Sequence, residues 1–160
     1  MKTRLGFVGA AIAVVASSAL SASEARASAF VWPASGRIAT TYLSSHKAID
    51  ISNASGTPIY ASRGGNLWLQ NYQSGYGYYV KIDHDAGYRT VYAHLRGFYG
   101  GRRWVRQGDQ VGYMGRSGAA NGVNHIHWVL QRWGVPQYVP ATYLRWVWAK
   151  SGINWKYPGL

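Results

Sequence analysis

Beyond residue 27 the chain carries five histidines and four aspartates, namely His46, His84, His94, His125, His127, Asp50, Asp83, Asp85 and Asp109, with no glutamate and no cysteine. These side chains are the whole supply for metal ligation and acid–base chemistry. Cysteine nucleophiles, cysteine zinc sites, glutamate-dependent H-E-x-x-H proteases and lysozyme-type glycosidases are therefore excluded. Two constellations remain. On an extended strand side chains alternate between faces, so His46 and Asp50 point one way and Ile49 and Ile51 the other. By the same rule His125 and His127 share a face opposite Ile126, Trp128 and Leu130. Imidazole and carboxylate are the donors that catalytic zinc takes, with three protein ligands and one open position. Asp50, His46 and one histidine of the 125/127 pair would supply three. Spacing alone leaves open the alternative that these are hydrogen-bonded structural histidines. His84 falls in a turn and reads as a solvated turn residue.

The elements that must position these residues read as short strands punctuated by glycine. From Phe30 onward β-branched and aromatic alternation recurs between Gly, Asn and Asp breaks. Strands are predicted at Ala48–Ser52, Tyr76–Asp83, Tyr88–Leu95, Gln110–Met114 and His125–Gln131, with Asp83–Gly87 as a hairpin turn. The fold class is all-β, with antiparallel sheets. The one helical candidate is the segment 140–149, so the C-terminal extension is read as helical or irregular.

Composition adds the compartment. Lys2 and Arg4 precede an uncharged apolar run, Leu5–Ala16, and small residues follow through Ala29, the layout of a secretory signal peptide. The apolar run is too short for a membrane span, which needs about 20 residues. No stable transmembrane anchor is expected, and the protein is placed in a secreted or periplasmic location. Ala25-Arg26-Ala27 and Ala27-Ser28-Ala29 both fit a cleavage site. The whole chain of 160 residues has a formal net charge of +12; removing residues 1–27 takes away three basic residues and Glu24, leaving +10. Without a disulfide, an exported domain of this kind must be held by its core or by a bound metal.

Several motifs in order resemble the LytM/lysostaphin-like zinc endopeptidases of bacterial cell walls, over roughly Val31 to Leu144. Trp32-Pro33-Ala34-Ser35-Gly36-Arg37-Ile38 is similar to the family's W-P-x-x-G-x-I, and His46-Lys47-Ala48-Ile49-Asp50-Ile51 to its H-x-G-I-D-I. Gly56-Thr57-Pro58-Ile59-Tyr60-Ala61 resembles G-T-P-V-x-A, and Tyr92-Ala93-His94-Leu95 is Y-A-H-L. Residues 107–115 resemble the family's glycine-rich approach to its last motif, where His125-Ile126-His127 stands for H-L-H. The resemblance implies one zinc ion per chain, ligated by His46, Asp50 and His127, with His94 and His125 as the catalytic pair. In that scheme His125 removes a proton from the attacking water, and His94 orients the water or stabilises the oxyanion. This agrees with the missing glutamate, because a neutral histidine is then the natural base. The implied organisation is a signal peptide at 1–27, a zinc endopeptidase domain at 28–144 and a Trp-rich extension at 145–160.

Departures from the family bear on the groove more than on the ligands. Pro is lost before His125, Trp128-Val129 replaces Phe-Glu, Ala48 replaces Gly, and the segment 41–45 before the first ligand is short. An open substrate groove follows, into which Tyr42 could reach the oxyanion if it does not simply pack. The expected substrate is a peptidoglycan peptide, cut by a monomer, with anionic wall polymers as a further partner suited to the positive charge. The basic residues are scattered apart from Arg102, Arg103 and Arg106, and an exported protein seldom meets nucleic acid, which is disfavoured as a partner. The competing reading is a non-catalytic wall-binding or regulatory module on the same fold. A serine hydrolase is weaker, since Gly115-Arg116-Ser117-Gly118-Ala119 is not a nucleophile elbow. The tail from Arg145 to Tyr157 is read as packing back across the sheet rather than as a sugar-stacking patch.

Overall fold

The computed structural model describes residues 30–139 and the backbone of the two-residue strand Trp146–Val147. The expected signal peptide lies outside the described residues, as does the C-terminal extension apart from Trp146–Val147. Those two residues are extended rather than helical. Eleven strands are described: β1 (Gly36–Thr40), β2 (Ile49–Ser52), β3 (Pro58–Tyr60), β4 (Gly65–Gln73), β5 (Gly77–Asp83), β6 (Tyr88–Phe98), β7 (Arg103–Val105), β8 (Gln110–Met114), β9 (His125–Arg132), β10 (Val135–Pro136) and β11 (Trp146–Val147). They join in one sheet with the order β11-β1-β2-β9-β6-β5-β4-β7, while β8 bridges β3 and β6, and β10 pairs with β9. Every pairing is antiparallel. The all-β class read from the sequence is thus the observed one, with no helix among the described residues.

The sheet has two unequal faces. Ile49, Ile51, Val80, Ile82, Tyr92, Ile126, Trp128 and Leu130 join the main core with Phe30, Trp32 and Met114. The opposite face holds only a small apolar cluster of Ala48, Tyr79, Val91, Ala93 and Val129, flanked by Tyr76. Central strands β6 and β9 therefore bury residues on both sides, which explains their dense aliphatic and aromatic composition. β4 was missed in the sequence because Asn66, Gln70, Asn71 and Gln73 mask an alternation that only Leu67 and Leu69 carry into the core.

The Asp83–Gly87 hairpin is present, closed by His84 N–H to the Tyr88 carbonyl at 2.9 Å and by the left-handed Ala86 (φ 50°) and Gly87 (φ 75°). His84 itself corrects the sequence reading, because it is enclosed rather than solvated. Its Nδ1 meets the Gly64 carbonyl at 2.9 Å, its Nε2 meets Thr90 Oγ1 at 2.8 Å, and its ring edge packs on Phe30 at 5.4 Å between centroids. Thr90 Oγ1 is in turn 2.8 Å from the Tyr92 hydroxyl, which accepts from Ser62 N–H at 2.8 Å. A carbonyl only accepts, so Nδ1 carries the proton and Nε2 accepts from Thr90. The Tyr92 hydroxyl then donates to Thr90, so each link from the Gly64 carbonyl to the Ser62 N–H is made.

Burial is the chief cause that pushes the His84 pKa down to about 4, against the help that the Gly64 carbonyl gives the charged form. A folded pKa below the unfolded 6.5 means that the unfolded chain binds the proton more tightly. The stabilising contribution is full above pH 6.5 and is lost as pH falls toward 4, by at most about 3 kcal/mol. In urea unfolding, wild type should exceed His84→Gln most at pH 7, and the gap should shrink between pH 6.5 and 4. A gap that does not change with pH would sink this account.

Candidate metal centre

The pairing of β2 with β9 sets Asp50 opposite His127 and Ser52 opposite His125. Cross-strand partners share a face, so the carboxylate and both imidazoles project from the side opposite the main core. His127 Nδ1 lies 2.9 Å from Asp50 Oδ1, and His125 Nε2 lies 4.0 Å from Oδ2. His46 joins them, though not from the strand, since β2 begins only at Ile49. It reaches in from the preceding loop, whose main chain is pinned by reciprocal hydrogen bonds between Leu43 and His46 at 2.8 and 3.1 Å. Its Nε2 stands 3.2 Å from Asp50 Oδ2.

His94 arrives by a different route. It sits on β6 where that strand leaves β9 after Ala93 and takes up β8 from Leu95, with a break in register against β5 between Tyr78 and Val80. At this irregularity His94 adopts φ 61°, a left-handed backbone that turns its side chain out of the strand's alternation. Its ring centroid lies 4.7 Å from His125 and 5.6 Å from His127. The Ser117 carbonyl receives His94 Nδ1–H at 2.8 Å, and Ser117 Oγ donates to the Leu95 carbonyl at 2.7 Å while accepting from Tyr78 N–H at 3.0 Å. Gly77 and Gly118 let the two segments touch, for a Cβ on Gly118 would stand 2.3 Å from Gly77 N. Both have positive φ, 64° and 69°. The Gly-Arg-Ser-Gly-Ala run that fails as a nucleophile elbow is thus the clamp that holds His94.

Each of three histidines presents one ring nitrogen to the cluster and ties the other to a main-chain carbonyl: His46 Nδ1 to Thr41, His94 Nδ1 to Ser117, His125 Nδ1 to Val123. A carbonyl fixes the proton on Nδ1, leaving Nε2 as a lone pair for the site. Burial would raise the Asp50 pKa, but the His127 hydrogen bond and the neighbouring His127, His46 and His125 outweigh it and hold the carboxyl below 3.8. Burial is also the main reason why His94 titrates below 6.5, which keeps it neutral.

One donor atom from each of His46, Asp50 and His127 lies within 4.8 Å of the others, a group able to hold a metal ion. Two imidazoles and one carboxylate suit zinc, and donors around a tetrahedral ion with bonds of 2.0–2.2 Å are separated by about 3.4 Å, close to the 3.2 Å between His46 Nε2 and Asp50 Oδ2. The residues therefore fit the ion. An open cleft of about 320 Å³ adjoins them, lined by Ser44, Lys47, Tyr76, His127, Val129 and Gln131 among others. Tyr76 was not foreseen. Its ring is 5.7 Å from His127, and burial, with Tyr79 beside it, raises its pKa and keeps the phenol protonated. Its only signal was a position between the glycines Gly75 and Gly77. Tyr42 packs edge-on against Tyr138 at 5.6 Å.

An all-β sheet with a His, Asp and His donor set and two further histidines beside it defines a metallopeptidase-like site. Residues 44–139 match Peptidase family M23, and the chain belongs to that family, whose peptidases are zinc metalloenzymes. It is 36% identical over 91 residues to the DD-carboxypeptidase/endopeptidase Mpg of Neisseria meningitidis serogroup B, covering 57% of this chain and 21% of that protein. It is 35% identical over 91 residues to the peptidoglycan DD-endopeptidase ShyC of Vibrio cholerae, covering 56% of this chain and 21% of the relative. The chain thus spans about a fifth of the length of these curated relatives. Its fold matches a zinc containing peptidase from Vibrio cholerae with a TM-score of 0.63 at 22% identity, over 68% of this chain and 38% of that one.

Zinc at about 100 times its Kd should stabilise the chain by about 2.7 kcal/mol, on the order of 10 °C in Tm for a domain of this size. Differential scanning calorimetry with and without zinc reads the shift, and Asp50→Ala should abolish it. A shift that survives in Asp50→Ala would place the ion elsewhere.

Proposed function

We propose that the chain is a secreted zinc metalloendopeptidase that hydrolyses peptide cross-links of bacterial peptidoglycan. The observation that carries this reading is the convergence of His46, Asp50 and His127, all beside a second pair, His94 and His125, whose remote nitrogens are fixed by carbonyls. Family membership and the two endopeptidase relatives support the substrate class. Secretion rests on the composition of residues 1–27. Among the described residues no helix is long and apolar enough to cross a membrane.

His46 Nε2, Asp50 and His127 Nδ1 would hold the ion, which when bound supplies a Lewis acid that polarises the scissile carbonyl and acidifies water. The remaining steps belong to the two free imidazoles. His125 directs Nε2 toward Asp50 and keeps its proton on Nδ1, so it is a base in the ground state. It takes the proton of the attacking water and, once protonated, returns it to the leaving amine. His94 is kept neutral by burial with its proton committed to Ser117, so its Nε2 accepts and orients the water. Donation to an oxyanion would require a proton that His94 Nε2 lacks in this tautomer, which favours the orienting role of the two considered.

Mass spectrometry of fragments released from purified sacculi tests the assignment. His125→Ala and His94→Ala should each lower kcat/KM by about 10²–10⁴ while zinc stays at one ion per chain. His127→Ala should lose both zinc and fragment release. Unchanged release by His127→Ala would overturn the mechanism. A purified chain that takes up no zinc and ignores chelator would be the non-catalytic wall-binding module instead.

A further inference from the structure

The face that carries the histidine cluster extends well beyond it. Val129 pairs with Val91, Val91 with Lys81, and Lys81 with Trp68. A second row runs Gln131, Arg89, Asp83, Asn66 and Trp104. Residues in register point to the same side, and Val129 is two residues from His127 on β9, so Trp68 and Trp104 share the face of the metal centre. Four strand spacings of 4.7–4.9 Å separate β9 from β7, about 19 Å in all.

At that far edge the side chains make a built surface. Trp104 is 61% exposed, and the Arg102 guanidinium stacks 3.4 Å from the Trp68 ring centroid. A groove of about 370 Å³ runs between them, with Asn66 and Arg103 in its walls. Arg103 is committed to the carbonyls of Tyr99, Gly101 and Gln110, so it braces the strand, whereas stacking leaves the Arg102 donors turned to a ligand. The one acid in the two rows, Asp83, is paired with Arg89. An open indole beside a preoriented guanidinium suits a ring with an apolar C–H face and anionic or carbonyl oxygens on its rim.

We propose that Trp68, Arg102 and Trp104 form a subsite for the glycan strand of peptidoglycan, whose sugar rings stack on Trp104 while Arg102 donates to their acyl and amide carbonyl oxygens and, on sugars without a stem, to the lactyl carboxylate. This rests on peptidoglycan being the polymer cut at the metal centre. The reach is comparable: a stem peptide of about four or five extended residues spans about 13–18 Å, which approaches the lateral separation of roughly 19 Å between β7 and the strand that carries His125 and His127. Lys81 faces that path and offers a cation to the acidic groups of the stem.

Peptide-free glycan strands, titrated against the full chain, read this subsite without any cleavage, so its failure is distinct from failure of the peptidase reading, which fragment release reports. Trp104→Ala should weaken binding about tenfold. Arg102→Gln should weaken it several-fold and flatten its salt dependence, while Trp133→Ala, equally a loss of an exposed indole, should leave it unchanged. Full-strength binding by both Trp104→Ala and Arg102→Gln would overturn the proposal. So would a wild-type chain that ignores the stripped glycan yet binds a polyphosphate wall polymer or an acidic protein.

Discussion

The register of β2 against β9 is the constraint on which the site depends. Because the side-chain period of a strand is two, a slip of one residue would send Asp50, His125 and His127 into the core and bring Ile49, Ile51, Ile126 and Trp128 out to solvent. The apolar residues alternating with the donors are thus what align the donors. Ile51 opposite Ile126 and Ile49 opposite Trp128 fix the same register that sets Asp50 opposite His127. The candidate metal site and the core are two faces of one pairing.

His94 shows what regular alternation cannot supply. A strand residue next to Ala93, itself on the site face, would ordinarily point into the main core. The irregularity at which β6 exchanges β9 for β8, together with φ 61°, brings the imidazole back to the site face. Such a backbone is uncommon for a residue with a Cβ. It is held by the Ser117 clamp and by His94 N–H donating to the Tyr76 carbonyl at 2.8 Å, so the same segment that bears Tyr76 also fixes the general position of the catalytic candidate.

The parts legible in the sequence are those where local pattern and tertiary role coincide. Gln110–Met114 was bounded as observed, and β2, β5 and β9 to within one residue, because aliphatic alternation there reports a real two-sided environment. The clustering of His46, Asp50 and His127 was legible from spacing and motif, although His46 reaches its neighbours from a loop whose turn no alternation encodes. His84 was misread because a turn position says nothing of what folds over it; Phe30, Gly64 and Thr90 come from distant or non-adjacent positions to enclose it. Tyr76 and the Gly77–Gly118 contact were illegible for the same reason. Each is defined by a partner on another segment.

The aspartates, so few beside seventeen basic residues, divide by use. Asp83 pairs with Arg89 and Asp85 with Arg63, while Asp109 accepts from Arg106 N–H at 2.8 Å and closes a turn. Asp50 alone of the four faces only imidazoles. A carboxylate matched by arginine is already neutralised in place, whereas one matched by histidines that can stay neutral keeps a net negative charge. Such a charge would favour a cation at a site which the surrounding positive potential otherwise disfavours. Asp109 also lacks a charged partner, but it is spent on closing its turn, so Asp50 is the carboxylate left to favour a cation at the candidate metal centre.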